Sequence, residues 1–183
     1  MLIGVVGNEF DYNMGNLKTY TLTTMLYTDF KAGNTIYSTY ELGFPHKKIT
    51  CMGSLIKILK EMKNVSIGMD EMHVFFDAYG GVSKKTGTWY LKEFVRQTRK
   101  RNVRFYFTSQ TFNDVHKSIR RMIHTLFITE KLHPDMSVCL DDSCHEDHLL
   151  HITHAFTGDE MYFKVNKNIF ELYNSDEVVE WEN

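Results

Sequence analysis

Residues 1–19 read MLIGVVGNEFDYNMGNLKT, and the fold turns on how this stretch is parsed. Ile3-Gly4-Val5-Val6 is short and wholly apolar, the pattern of a strand buried on both faces. A polar loop, Asn8 to Leu17, follows it. From Lys18 to Ala32 the apolar residues Leu22, Met25, Leu26 and Phe30 recur near helical spacing, and Gly33 supplies a stop. The segment is rich in threonine, so tertiary packing rather than propensity must hold this helix.

Strand, loop, then Lys18-Thr19 opening a helix is the layout of a phosphate-binding P-loop. The exposed N–H groups and positive dipole end of a helix N-terminus attract phosphate. Glycines let the backbone approach, a lysine neutralises charge, and a threonine hydroxyl binds Mg²⁺. The eight-residue window is Tyr12-Asn13-Met14-Gly15-Asn16-Leu17-Lys18-Thr19. The pattern asks for glycine at the positions of Tyr12 and Leu17, and neither has it; Gly15 is the only glycine inside the window. If position 17 requires positive φ, leucine stores about 1–3 kcal/mol of strain there.

Further apolar runs alternate with amphipathic ones. Thr35 to Leu42 is β-branched and aromatic, hence strand-like. Leu55 to Met62 and Trp89 to Arg101 read as helices. Val74-Phe75-Phe76 reads as a buried strand ending at Asp77, an acid that either holds Mg²⁺ beside a P-loop or simply ends the strand in a turn. Ala78 then stands where hydrolysing enzymes carry glutamate. Glu71 reads as lying at the far end of that strand. Arg104 to Thr108 is another strand, ending at Ser109-Gln110. A polar amide there can sense a γ-phosphate or simply face solvent. A short helix near Lys117 to Met122 precedes a strand at Thr125 to Thr129. Leu149 to Phe156, Met161 to Val165 and Ile169 to Tyr173 are strand-like, without helices between them. The expected fold is a single three-layer α/β/α domain over 1–183. Its central sheet is mostly parallel, and edge strands or a hairpin over 149–175 extend it antiparallel.

Several stretches resemble P-loop ATPases of the additional-strand, FtsK/HerA-like group, especially zonular-occludens-toxin-like and phage or archaeal-virus packaging ATPases. Asn13 to Thr19 is similar to that group's phosphate loop, and Ile36 to Pro45 to a following strand and turn. Phe76-Asp77 resembles its Walker B strand. Gln97 to Val103 with Phe107 to Gln110 resembles a third segment, Ile119-Arg120-Arg121 a fourth, and Phe170 to Glu177 its closing strand. The resemblance implies ATP and Mg²⁺ as cofactors and an oligomeric ring that moves DNA, packages a genome or assembles virions. It implies phosphate contacts from Asn13, Met14, Gly15, Asn16, Leu17, Lys18 and Thr19, and Mg²⁺ contacts from Thr19 and Asp77. Gln110 would be a sensor, and Arg120 or Arg121 an arginine finger reaching a neighbour's nucleotide. With Leu17 and Ala78 as departures, the alternative is a non-hydrolysing relative that serves assembly.

The chain has 183 residues, 43% hydrophobic, 24% charged and 14% aromatic. These proportions exclude a disordered or collagen-like chain. A net charge of −2 excludes a globally basic nucleic-acid binder. Lys92, Arg96, Arg99 and Lys100 nevertheless form one basic helix stripe, which either tracks a DNA backbone or is a solvated face. No Lys or Arg follows Lys167. No run reaches the roughly 18–20 apolar residues of a membrane span, and the N-terminus lacks a signal-peptide pattern. The three cysteines, Cys51, Cys139 and Cys144, are too few and irregular for a disulfide framework, which favours an intracellular, reducing setting. For a viral protein that is the host cytoplasm, with virion association as a further expectation. Cys139, Cys144, His145 and His148 match no zinc-finger spacing and read as a polar turn, with a metal-dependent module as the outlying alternative.

Overall fold

The computed structural model describes residues 1–8, 16–51, 54–55, 57–58, 63–75, 101–141 and 143–174. Eight strands form one sheet: β1 (Leu2–Gly7), β2 (Thr35–Ser38), β3 (Lys47–Lys48), β4 (Val65–Met69), β5 (Val103–Ser109), β6 (Thr125–Leu132), β7 (Leu149–His154) and β8 (Glu160–Lys164). Their spatial order is β3-β2-β4-β5-β1-β6-β7-β8. The pairs from β3 through β6 are all parallel. β6–β7 and β7–β8 are antiparallel. This is the expected three-layer P-loop NTPase fold with its antiparallel C-terminal extension.

Helix α1 (Lys18–Lys31) covers one face of the sheet. Its Leu22 and Leu26 are fully buried and pack with Ile3, Ile36, Tyr40 and Tyr106. The opposite face buries Leu2, Ile67, Phe105 and Phe107 against Leu55, Ile58, Met72 and Ile119. Those partners come from helical residues at 54–55 and 57–58, from α2 (Met72–Phe75) and from α3 (Lys117–Arg120). β1, β4 and β5 are therefore buried on both faces, which explains their near-continuous burial.

Polar anchoring joins α1 to the sheet. Asp29, 2% exposed, accepts hydrogen bonds from Ser66 Oγ (2.6 Å) and the Tyr106 hydroxyl (2.8 Å), and pairs with Arg104. Burial, with the Asp29 carboxylate alongside, pushes the Tyr106 phenol well above its usual range. The carboxylate also raises the Arg104 guanidinium.

Two sequence expectations are corrected here. The buried strand expected at Val74-Phe75-Phe76 is not formed at its described residues: Met72–Phe75 are helical and Val74 is 61% exposed. The strand of this region lies earlier, at Val65–Met69. Ile169 to Tyr173 is not a strand either. Residues Lys167–Leu172 form a 3-10 helix, and only Tyr173 bridges back to Leu42. Asn166 starts that helix by accepting a bond from Asn168 N, and its own N–H donates to the Tyr20 hydroxyl. No helix of the described residues is long and apolar enough to cross a membrane.

A Cβ added at Gly68 would stand 2.4 Å from Leu26 Cδ1, so α1 lies directly on this glycine of β4. Gly68→Ala is expected to destabilise by about 1–3 kcal/mol through overpacking. Leu26→Ala is expected to cost about 2–5 kcal/mol through cavity formation. In urea melts the double variant should lose less than the sum, because each change fills the other's space.

Candidate nucleotide site

β1 and β4 end on the same edge of the sheet, with β5 between them. The register pairs Val6 with Ser109 and Met69 with Phe107. One step further along, Asp70 stands beside Thr108. Past Gly7 and Asn8 the chain returns at Asn16 and enters α1 at Lys18. Lys18 and Thr19 thus open the helix at the point where β4 delivers Asp70 and Glu71.

The Thr19 hydroxyl donates to both carboxylate oxygens of Asp70, at 3.1 and 3.3 Å. Thr108 Oγ1 also donates to Asp70 and accepts from the Glu71 N–H at 2.9 Å. Asp70 N donates to Thr39 Oγ1 at 3.1 Å. Helix α1 and β5 therefore converge on the Asp70 carboxylate, while the residue after β2 holds the Asp70 backbone. Glu71 Oε1 accepts from Gln110 Nε2 at 3.0 Å. Nδ1 of His73 lies 3.1 Å from Glu71 Oε2, and this buried oxygen has no hydrogen-bond partner among the described residues. Glu71 also sits at φ 49°, in the left-handed region. A non-glycine residue there carries strain of order 1–3 kcal/mol, a feature that concentrates at functional sites.

Burial raises the pKa of Asp70, opposed by the hydrogen bonds from Thr108 and Thr19 and by the charge of Lys18. Glu71 is raised by burial and by the neighbouring Asp70 charge, opposed by His73, Lys18 and Gln110. Lys18, only 5% exposed, is thus the buried cation of a site holding two carboxylates. Adjacent acids raised by burial beside a lysine are a signature of functional clefts.

The loop end of the site bears on phosphate and metal binding. Asn16 is 2% exposed, and its Nδ2 donor has no hydrogen-bond partner among the described residues. A Cβ on Gly7 would stand 3.0 Å from that nitrogen, so the strand end packs closely on Asn16. An unsatisfied buried donor, a buried ammonium and a helix N-terminus suit an anion. The facing Thr19 hydroxyl, Asp70 carboxylate and unsatisfied Glu71 oxygen suit a hard, oxygen-seeking cation. The residues present therefore fit a phosphate–magnesium pair.

Of the residues expected from sequence, Asn16, Leu17, Lys18, Thr19 and Gln110 lie at this site. Leu17 is at φ 56° and ψ 25°, the left-handed geometry that glycine would adopt without strain. Its side chain packs against the cluster of Tyr20, Leu150, Ile152 and Ile169. Asn13, Met14, Gly15, Asp77, Ala78, Lys92, Arg96, Arg99 and Lys100 lie outside the described residues. The expectation that Glu71 sits at the far end of a strand running to Asp77 is corrected: Glu71 follows β4 and faces Gln110. Sequence reasoning missed Asp70, Glu71 and Thr108. The available signal was the Asp70-Glu71 pair directly after Val65–Met69. Arg120 is held by the Phe112 ring (5.5 Å) and by Asn113 Oδ1 (2.8 Å), and Arg121 is exposed. Neither pairs with Lys18, Thr19, Asp70 or Glu71 among the described residues.

Solved structures with low sequence identity share this fold. One is the N-terminal domain of zonular occludens toxin from Neisseria meningitidis. Its TM-score is 0.64 at 13% identity, over 94% of this chain and 98% of that one. A second is the genome-packaging NTPase B204 of Sulfolobus turreted icosahedral virus 2 with AMP. Here the TM-score is 0.60 at 8% identity, over 90% of this chain and 97% of that one. The same NTPase with ATP-γS gives 0.58 at 9% identity, over 90% and 97%. No family model matches the sequence, and no curated protein matches it.

Leu17→Gly removes backbone strain but also a side chain packed on that cluster, so its unfolding free energy should stay within about 1 kcal/mol of wild type. Leu17→Val, which places a β-branched residue in the left-handed region, should cost clearly more. Equilibrium denaturation of the two variants checks the contrast.

Proposed function

We propose that the protein is a Mg-ATP-hydrolysing P-loop ATPase of the viral genome-packaging kind. The observation that carries this reading is the pair of hydrogen bonds from Thr19 at the start of α1 to Asp70 at the end of β4. They join a phosphate-loop helix to an acidic strand end, with Lys18 buried beside both. The intervening β5 is the arrangement that names the additional-strand group.

In this reading Asn16 and the N–H groups opening α1 bind the phosphates, and the Lys18 ammonium neutralises their charge. Thr19 and Asp70 hold Mg²⁺, which supplies charge neutralisation to the transferred phosphoryl group. Glu71 orients the attacking water and accepts its proton at the carboxylate, and burial tunes it towards that role. Gln110 holds Glu71 through Oε1. Thr108 is a positioning residue, because it fixes Asp70 and the Glu71 backbone together.

Asp70 is followed directly by Glu71, a glutamate that speaks for turnover although Ala78 follows Asp77. The left-handed geometry of Leu17 also shows leucine accommodated where glycine is usual. The DNA-translocating role draws on the likeness to the packaging NTPase and on the basic stripe at Lys92, Arg96, Arg99 and Lys100. A homo-oligomeric ring with Arg120 or Arg121 acting across subunits, or docking on virion proteins, belongs to the same proposal.

Calorimetry and phosphate release test it. Lys18→Ala should abolish Mg-ATP binding. Glu71→Gln should keep binding while lowering turnover by roughly 10²–10⁴-fold. Double-stranded DNA should raise wild-type turnover. Binding without any hydrolysis, in the presence of DNA and at high protein concentration, would instead mark an assembly subunit.

A further inference from the structure

The β6–β7 connection carries a second constellation, apart from the nucleotide site. His133 directly follows β6, and His148 directly precedes β7. Cys139 and Cys144 lie on the segment between them. One ligand atom from each of His133, Cys139, Cys144 and His148 lies within 4.8 Å of the other three. His145, the neighbour that spacing suggested, is exposed and is not in the group. His133 takes its place from the other end of the loop.

We propose that these four side chains form a structural zinc site. Two thiolates and two imidazoles are the tetrahedral donor set that zinc prefers, and four protein ligands leave no open position for catalysis. Around zinc, neighbouring ligand atoms stand roughly 3.3–3.8 Å apart. The observed atoms all lie within 4.8 Å of one another, so closing onto a metal asks any pair to draw in by at most about 1.5 Å. Cys139 is 3% exposed. Nδ1 of His133 and Nε2 of His148 are both buried without a hydrogen-bond partner among the described residues. Such orphaned nitrogens call for an explanation, and a cation between the two rings supplies one. The ring centroids are 5.4 Å apart. The exposed Glu146 carboxylate approaches His133 Nδ1 to 3.1 Å without hydrogen-bond geometry. It is a surface group that water replaces when the metal takes the nitrogen.

The backbone is already drawn into the required shape. Cys139 N donates to Lys131 O at 2.8 Å, His133 N to Ser137 O at 2.8 Å, and Cys144 N to Asp141 O at 3.3 Å. Lys131 Nζ reaches Asp141 O at 2.7 Å. These bonds fold the loop back on the end of β6. Metal binding releases the two thiol protons to solvent and leaves a zinc–dithiolate unit of no net charge. Its effect is to fasten the ends of the loop together, and with them the antiparallel edge β7–β8.

Metal analysis of untagged, reduced, full-length protein tests this. Wild type should carry one zinc per chain. Cys144→Ser and the double variant Cys139→Ser/Cys144→Ser should lose it, whereas His145→Ala should retain it. Chelation of wild type should lower the melting temperature by several degrees, and added zinc should restore it. Cobalt substitution should give tetrahedral d–d bands with a thiolate charge-transfer band, and both should vanish in Cys144→Ser. The proposal is overturned if zinc-supplemented wild type holds no stoichiometric metal. Zinc that persists in the double variant, or a Cys139–Cys144 disulfide in place of metal, would overturn it equally.

Discussion

The contact between Thr19 and Asp70 organises the molecule's working edge. It is a single hydroxyl–carboxylate contact, yet it needs β1, β4, β5 and α1 to be in register at once. Thr108 supplies the other donor to the Asp70 carboxylate and Thr39 Oγ1 accepts from the Asp70 N–H, so the strand on each side of β4, or the residue just after it, contributes one group. A buried carboxylate is costly unless its oxygens are satisfied. The same network also sets the Glu71 backbone through Thr108 and its side chain through Gln110. Local strain at Leu17 and Glu71 persists because the packing around both is over-determined.

That packing depends on how closely α1 approaches the sheet. Gly68 leaves space for Leu26, and Ser66 donates to Asp29. A threonine-rich helix with weak propensity is thereby held by two buried leucines and one buried aspartate. Four of its threonines also turn hydroxyls inward or onto the backbone: Thr21, Thr24 and Thr28 bond carbonyls four residues back, and Thr23 meets the Tyr40 hydroxyl. For the buried Thr21 and Thr23 these bonds satisfy a hydroxyl placed on a buried face. The nucleotide edge and the β6–β7 loop lie on different parts of one continuous sheet, joined by β6. Between them Glu130 pairs with His151 of β7 and accepts from Asn8 at the end of β1.

The sequence by itself determined the α/β class, the Lys18 helix, strands β1, β5 and β6, and the antiparallel edge. Long apolar runs and helical spacing carry those features, and both are local properties of the chain. It also placed Lys18, Thr19 and Gln110, because a strand end followed by a polar group is visible in one dimension. The strand that leads to Asp70 and Glu71 went unread. Val65–Met69 contains Ser66 and Gly68, which weaken its strand signal, while Val74-Phe75-Phe76 looks more strand-like than it is. Only the tertiary structure shows why: Ser66 and Gly68 are there to receive Asp29 and Leu26 from α1, a demand that arises between elements. The same reason hid His133. Sequence spacing joins Cys144 to His145 and His148, but a hairpin brings together the residues at its two ends. A partner that faces a site across a turn is chosen by the register of β6 and β7, and register is decided by the sheet as a whole.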